Sequence, residues 1–259
     1  MAKYFLLFTF ITFSYTLLAQ EEGRMETDRP DQTESPVITK KKYIQAEFGF
    51  GVGKFKGTAT ILHPTALWKY GLSKRFEFRL ITEFGTVETP LIIPDGNDIV
   101  TGIFPVGFGG KLALWEEKGL LPKTSFIFNL SPSKLASKEF QTDKWTPNFR
   151  FTMQHTLSDH VGLGYNFGAE WDGFSDTPSW IYTFAPGFNI GKNWYGYIEA
   201  FGAFGKDQIP THALDAGIAY YFSDNAKIDL SSGVGITEPA EDWYSSIGFS
   251  FRFNTSKKK

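Results

Sequence analysis

Charged, amide and imidazole side chains recur at alternate positions of this chain and could together line an aqueous path. The set comprises Gln45, Glu47, His63, Lys69, Glu77, Arg79, Glu83, Lys111, Asn129, Arg150, Gln154, Glu170, Glu199, Asp215, Lys227, Asp229 and Arg252. Acids and bases nearly balance in it, and a buried charge is costly unless it is paired. One hypothesis is therefore a structural network of ion pairs. The alternative is a solute path in which Arg79, Lys111, Arg150 and Arg252 bind anionic groups.

Catalysis is a competing hypothesis, because hydrolysis of lipids by a barrel protein would need a serine within hydrogen-bond reach of a histidine. His155 is the histidine best placed for this, yet no serine on a predicted neighbouring strand follows a nucleophile pattern. His63, His160 and His212 are too scattered to predict a metal site, and the chain has no cysteine. We therefore predict no catalytic residue, no metal site and no cofactor.

The elements that must position the polar set are long strands. Between Trp145 and Trp171, apolar and polar residues alternate with a period of two in two arms joined by the turn 158–160. Each arm has about eleven residues, the length at which a tilted strand crosses a hydrocarbon layer. Strands of soluble proteins are usually half as long. The pattern favours a membrane barrel, with a soluble ligand-binding barrel as the alternative.

The whole chain predicts about twelve strands. They are placed at 43–53, 58–70, 75–86, 101–115, 122–131, 145–157, 160–172, 178–190, 193–205, 210–222, 225–237 and 242–253. Tight connections follow even-numbered strands, whereas most connections after odd-numbered strands are longer, including 86–100, 131–144 and 173–177. This asymmetry is typical of bacterial outer-membrane barrels, as are Trp and Tyr near strand ends. Pro64, Pro105 and Pro186 fall inside predicted strands and predict bulges or breaks.

The remaining segments suggest export. Residues 1–19 have the build of a secretory signal, with Lys3, an apolar run from Tyr4 to Leu18 and Ala19 before the expected cleavage point. A membrane-anchoring helix is the alternative. With 26 Lys and Arg against 28 Asp and Glu, the net charge of -2 gives no electrostatic case for nucleic-acid binding.

Residues 20–42 are polar, lack periodicity and are predicted to be irregular, whereas 43–253 form the barrel and 254–259 a polar tail. Two hypotheses apply to 20–42. It is either a solvated leader or a plug held in the barrel by its charged and amide side chains, namely Asp28, Arg29, Asp31, Gln32 and Glu34.

The stretch from Thr27 to Pro36, TDRPDQTESP, lies shortly after the signal and just before the first predicted strand. In sequence and position it resembles the opening of the outer-membrane proteins grouped under the meta-pathway of phenol degradation. The resemblance implies an outer-membrane transporter of small, aromatic or hydrophobic molecules, without catalytic residues. The aromatic end of the last strand, Phe253, resembles the assembly signal of outer-membrane barrels.

These observations predict an all-β, transmembrane, antiparallel up-and-down barrel in the bacterial outer membrane. Its expected partners are outer-membrane lipid, a small-molecule solute and, during biogenesis, the barrel assembly machinery. A channel or transporter is the first hypothesis for its function. A structural or adhesive barrel is the second, since the fold does not decide between them.

Overall fold

The computed structural model describes residues 23–91, 96–206 and 208–256. The predicted signal and residues 257–259 of the predicted tail lie outside this part. Within it, thirteen strands form one sheet. They are β1 (Tyr43–Phe55), β2 (Thr58–Gly71), β3 (Phe76–Leu91), β4 (Gly96–Ile103), β5 (Gly107–Trp115), β6 (Lys123–Ser131), β7 (Thr146–Thr156), β8 (Val161–Glu170), β9 (Ser179–Ile190), β10 (Trp194–Gly205), β11 (Thr211–Ser223), β12 (Ala226–Gly235) and β13 (Trp243–Asn254).

The sheet closes into an antiparallel barrel. β1 pairs with β2 on one side and with β13 on the other, and the remaining strands follow one another in chain order. The first half of β3 pairs with β5 and its second half with β4, so β4 and β5 share one position in the wall. The barrel thus has twelve strand positions, which confirms the predicted fold.

The predicted strand 101–115 and loop 86–100 are wrong in detail. The chain leaves the sheet between Ile103 and Gly107, where Pro105 lies, and residues on either side of this break form separate strands. Residues 84–91 continue β3 and pair with β4. The β-branched residues of this hairpin, Thr86, Val87, Ile99, Val100 and Thr101, favour extended structure over a loop.

The two faces of the wall have inverted polarity relative to a soluble protein. Apolar side chains on the outside are widely exposed, with Phe184 at 50%, Ile198 at 57% and Leu230 at 52%. Charged side chains on the inside are buried, with Glu77 and Lys111 both at 0%. This inversion is typical of a barrel whose outer surface contacts lipid.

Prolines perturb the wall at two of the three expected places. A register shift between Leu62 and Thr65 forms a bulge around Pro64, and the break between β4 and β5 contains Pro105. These predictions are confirmed. The prediction is wrong at Pro186, which pairs with Leu163 in the continuous register of β8 and β9.

The two rims of the barrel differ. At the terminal rim, where Tyr43 pairs with Asn254, most connections are short: 72–75, 157–160, 191–193 and 224–225. At the opposite loop rim, the segments 132–145, 171–178 and 236–242 are longer, although β1 and β2 are joined there by only two residues. In bacterial barrels the rim with short turns faces the periplasm. No helix in the described ranges is long and apolar enough to span a membrane.

Candidate functional site

The segment 23–42, called the plug below, lies inside the barrel. It enters at the terminal rim, where the Met25 amide donates to the Asp224 carbonyl at 2.9 Å. It crosses the lumen and returns to the same rim, where the Lys42 amide donates to the Gly71 carbonyl at 2.7 Å. Its middle residues contact opposite sides of the wall, so the segment spans the width of the lumen.

Asp28 binds three cationic side chains from adjacent wall positions. Lys69 Nζ on β2 lies 3.0 Å from its carboxylate, Arg79 Nη1 on β3 lies 2.8 Å away and Lys111 Nζ on β5 lies 3.0 Å away. All four residues are buried. Lys69 is paired with Arg79 across β2 and β3, and Lys111 is paired with Glu77 across β5 and β3. Because paired and alternate residues lie on the same face of a sheet, these side chains share the inner face. Their hydrogen bonds make Asp28 the most heavily bonded side chain of the plug.

Two wall carboxylates balance these cations and hold the plug backbone. Glu47 Oε2 accepts hydrogen bonds from the amides of Asp28 at 2.9 Å and Arg29 at 3.1 Å, while Glu47 also pairs with Lys69. Glu77 Oε2 accepts the Thr39 amide at 2.5 Å. Its other oxygen lies 3.3 Å from Arg79 Nη1. The cationic wall is therefore a paired network that includes the plug.

Arg29 occupies a slot made by two glycines. Gly49 on β1 is paired with Gly248 on β13, and both lie against the Arg29 guanidinium. A Cβ added at Gly248 would lie 2.8 Å from Arg29 Nη2, which is closer than carbon and nitrogen atoms pack. In the slot, Nη2 donates to Asp229 Oδ1 at 3.1 Å and to Ser246 Oγ at 2.7 Å. The missing side chains thus allow the plug to bind this wall.

The opposite wall is acidic. Glu199 on β10 accepts hydrogen bonds from the Gln32 amide at 2.7 Å and the Thr33 hydroxyl at 2.5 Å. The hydroxyls of Thr33 and Thr183 are 2.6 Å apart. Asp215 on β11 accepts a hydrogen bond from Tyr197 at 3.1 Å. It accepts another from Tyr244.

Glu34 extends the plug to a third side of the wall. Its amide donates to Asn166 Oδ1 at 2.7 Å, and its carboxylate accepts from Arg79 Nη2 at 2.9 Å. Arg150 Nη1 lies 3.6 Å from the same carboxylate and also pairs with Glu170. The plug is therefore fixed to strands all round the lumen.

Cavities remain on both sides of the plug. On the loop side, two cavities of about 480 and about 490 Å³ are both lined by Arg29, Gln32, Thr65 and Glu83. On the terminal side, a cavity of about 110 Å³ adjoins Asp31. At the loop rim, burial raises the pKa of Glu241, with a smaller contribution from the negative charge of Asp242. The larger spaces form a vestibule that ends at the plug.

Most of the predicted polar set faces the lumen. The structure brings Gln45, Glu47, Lys69, Glu77, Arg79 and Lys111 together around Asp28, and places Glu83, Asn129, Arg150 and Glu170 around the second vestibule cavity. Glu199, Asp215, Lys227 and Asp229 lie on the other wall, and Gln154 lines the terminal-side cavity. Arg252 lies at the terminal rim, bonded to Asn225 and to the Gly23 carbonyl. These residues are therefore spread along the lumen.

The placement of His63 in the lumen is wrong. Its ring lies 5.6 Å from that of Phe84, which is exposed on the outer face, and its Nε2 is 3.0 Å from Thr86 Oγ1. The bulge between Leu62 and Thr65 shifts the register by one residue, and such a shift moves a side chain to the opposite face.

The plug candidates all contact or line the lumen, but sequence reasoning missed the groups that receive them. Gly49, Gly248 and Ser246 form the Arg29 slot, and Thr183 receives Thr33. One signal was available, since glycine at an inward position of a strand indicates close approach of another group. The pairing of two such glycines across strands could not be seen in the sequence.

The histidines have other partners. His155 Nδ1 lies 3.6 Å from Glu117 and its ring stacks on Tyr165, whereas His212 Nδ1 lies 2.7 Å from the Tyr182 hydroxyl. The described ranges contain no group of three His, Cys, Asp or Glu residues that could hold a metal ion.

Known proteins share this fold. The family model described as "Putative MetA-pathway of phenol degradation" matches residues 27–253. An outer membrane channel from Pseudomonas putida F1 has a TM-score of 0.65 and 10% identity, and the match covers 84% of this chain and 97% of that one. The NanC porin has a TM-score of 0.55 at 7% identity, covering 80% and 98%. The KdgM porin has a TM-score of 0.52 at 8% identity, covering 80% and 99%. No curated protein sequence matches the chain.

Proposed function

The chain belongs to the family described as "Putative MetA-pathway of phenol degradation", and on that premise we propose that it is a channel for small molecules, closed by its own plug. The protein is a β-barrel of the bacterial outer membrane. Passage would depend on the size and charge of the solute, without covalent chemistry, cofactor or metal. Family membership favours small aromatic or hydrophobic solutes.

The observation that carries this proposal is how the plug is attached. One isolated bridge, Lys41 to Gly71, joins the plug to a strand by β-pairing within the described residues. Its other contacts with the wall are made largely through side chains, such as those of Glu47 and Glu199. A segment attached in this way can leave without breaking the β-ladder that closes the barrel. The vestibule on its loop side would then connect to the terminal rim.

The other segments fit export and assembly. We propose that residues 1–19 are a signal removed during export and that 254–259 are a polar tail. The barrel assembly machinery would insert residues 43–253 into the outer membrane. Lipid would then cover the exposed apolar face described above.

Uptake by proteoliposomes tests the proposal. We would compare the mature chain with a variant lacking residues 23–39, each first shown to be folded by its heat-dependent mobility in a gel. The deletion should increase uptake of small uncharged solutes and leave larger sugars excluded. If both folded proteins insert and neither admits solute, the protein is a structural or adhesive barrel instead.

A further inference from the structure

We propose that Lys69, Arg79 and Lys111 form a carboxylate-binding site for permeating solutes, and that Asp28 occupies it as an internal substitute for the solute. The inference rests on the proposed channel function and specifies one class of solute, small organic carboxylates. It also explains how a plug can be displaced by the molecule that the channel admits.

The contacts of Asp28 are those of a bound carboxylate ligand. Its Oδ2 accepts from Lys69 Nζ at 3.0 Å, Arg79 Nη1 at 2.8 Å and Lys111 Nζ at 3.3 Å. Its Oδ1 accepts from Lys111 Nζ and from the Ser35 amide, both at 3.0 Å. The cationic residues are at most 3% exposed. Charge-assisted hydrogen bonds of this kind are the strong ones in proteins.

The wall alone carries an excess positive charge at this site. Lys69, Arg79 and Lys111 face two wall carboxylates, Glu47 and Glu77. Arg79 also pairs with Glu34 of the plug at 2.9 Å. When the plug departs with both Asp28 and Glu34, three positive charges against two negative ones leave one cation unbalanced. An unpaired charge in a partly dehydrated lumen is costly, so an anion from solution should replace the departed carboxylate.

The site can be reached from the vestibule. Arg79 and Asp28 both line the cavity of about 490 Å³ on the loop side. Within the described part of the chain, Arg79 Nε is buried without a hydrogen-bond acceptor. A spare donor is therefore present beside the position of the carboxylate. Ile81 and Leu67 in the same cavity offer apolar contact to the body of a small solute.

Chemical rescue tests the site without requiring transport. Asp28→Ala removes the internal carboxylate and keeps the three cations, so the variant should unfold at a lower temperature than the wild type. Acetate should raise its unfolding temperature saturably, at constant ionic strength, and leave the wild type unchanged. Chloride, ethanol and ammonium should not raise the unfolding temperature of Asp28→Ala. In Asp28→Ala/Lys111→Met the apparent acetate affinity should fall at least about tenfold, since removal of a charged hydrogen bond is worth roughly that factor.

Two results would overturn the proposal: no acetate effect on folded Asp28→Ala, or an equal effect of chloride. Should Asp28→Ala not fold by itself, its refolding yield in detergent is titrated with acetate: a saturable gain that chloride does not give supports the site, and no gain contradicts it.

Bilayer recordings separate this inference from the channel proposal. In the folded variant lacking residues 23–39, currents should be carried mainly by anions, and benzoate should reduce chloride conductance in a concentration-dependent way. Acetate rescue without any conductance would contradict the channel and keep the site. Conductance that neither favours anions nor responds to benzoate would keep the channel and contradict the site.

Discussion

The Arg29 slot gives a sharp test of the plug, because one methyl group should displace the guanidinium. Gly248→Ala places a Cβ 2.6 Å from Asp229 Oδ1 and 2.8 Å from Arg29 Nη2. Gly51→Ala is the matched control. It adds the same methyl group on the inner face of β1, where the nearest atom would be 3.5 Å away. Neither glycine has a left-handed backbone, so alanine fits both conformations.

The expected size of the effect follows from the two hydrogen bonds that the guanidinium would no longer make. Arg29 gives up its bonds to Asp229 at 3.1 Å and Ser246 at 2.7 Å. Hydrogen bonds to charged groups contribute about 1.5–3 kcal/mol each. Because the Arg29 side chain is 21% exposed, solvent screening reduces the total to about 2–3 kcal/mol. The open state makes neither bond, so the ratio of closed to open channels should fall about 30- to 150-fold.

Planar-bilayer recordings measure this ratio as the fraction of time spent open. Hydrogen exchange of plug amides, read by mass spectrometry on a peptide covering residues 23–39, gives an independent value. Gly248→Ala should increase both, and Gly51→Ala should change neither. An unchanged plug in folded Gly248→Ala would refute the assignment of Arg29 as an anchor, as would an equal effect of Gly51→Ala.

Three further predictions address the wall, the outer face and the loop rim. Lys111→Met removes a fully buried cation and should destabilise the closed state by about 3–5 kcal/mol, which increases the open fraction. The control, Lys192→Met in an exposed turn, should leave the open fraction unchanged. Equal open fractions in the two variants would contradict the ion-pair network. Ile198→Arg and Ile190→Arg both alter side chains that are 57% exposed. Only Ile198 lies in mid-strand, where arginine in lipid costs about 2–4 kcal/mol against about 0–1 kcal/mol near the interface. The folding yield in vesicles should therefore be lower for Ile198→Arg than for Ile190→Arg. Equal yields would contradict the placement of the bilayer. Amides of Ser175 and Phe174 lower the pKa of Asp172 below its ordinary 3.8. An acid whose pKa is lowered in the folded protein stabilises it above the ordinary pKa, and this stabilisation is lost as the pH falls through the lowered pKa. NMR protection of both amides should therefore hold at pH 3.8 and decline only below it. Asp172→Asn should show no such change.

The barrel could be predicted from the sequence because its signal is local. Alternation of period two places Glu77 and Arg79 on the inner face and Phe78 on the outer face, whatever the rest of the chain does. The same rule places Arg150 inside, between Phe149 and Phe151. Strand length then selects the membrane over water. These inferences need no knowledge of which strands are neighbours.

The strand register could not be predicted from the sequence where a single residue is inserted or where a strand contains a proline. His63 lies six residues before Lys69, so strict alternation predicts that both side chains face the lumen. The bulge near Pro64 instead turns His63 outward. Pro186 stays in the ladder with β8, whereas Pro105 interrupts its strand. The outcome depends on whether the missing N–H would face a partner strand, which alternation alone does not reveal.

The site could be predicted only in part because it is assembled across the fold. The charge of Asp28 and the charges of Arg79 and Lys111 are visible in the sequence, but Lys111 is 83 positions from Asp28. Their meeting depends on the path of a segment without periodicity. The Arg29 slot likewise requires Gly49 and Gly248 to be paired across the closure of the barrel.

A reversible lock tests most directly whether the plug closes a solute path. The chain has no cysteine, and the hydroxyl oxygens of Thr33 and Thr183 are 2.6 Å apart, so Thr33→Cys/Thr183→Cys can form a disulfide of about 2.05 Å between plug and wall. In the Gly248→Ala background, we predict that the oxidised channel stays closed in bilayer recordings and that a reductant restores its openings. Equal conductance of the oxidised and reduced proteins would contradict the account, as would silence of both.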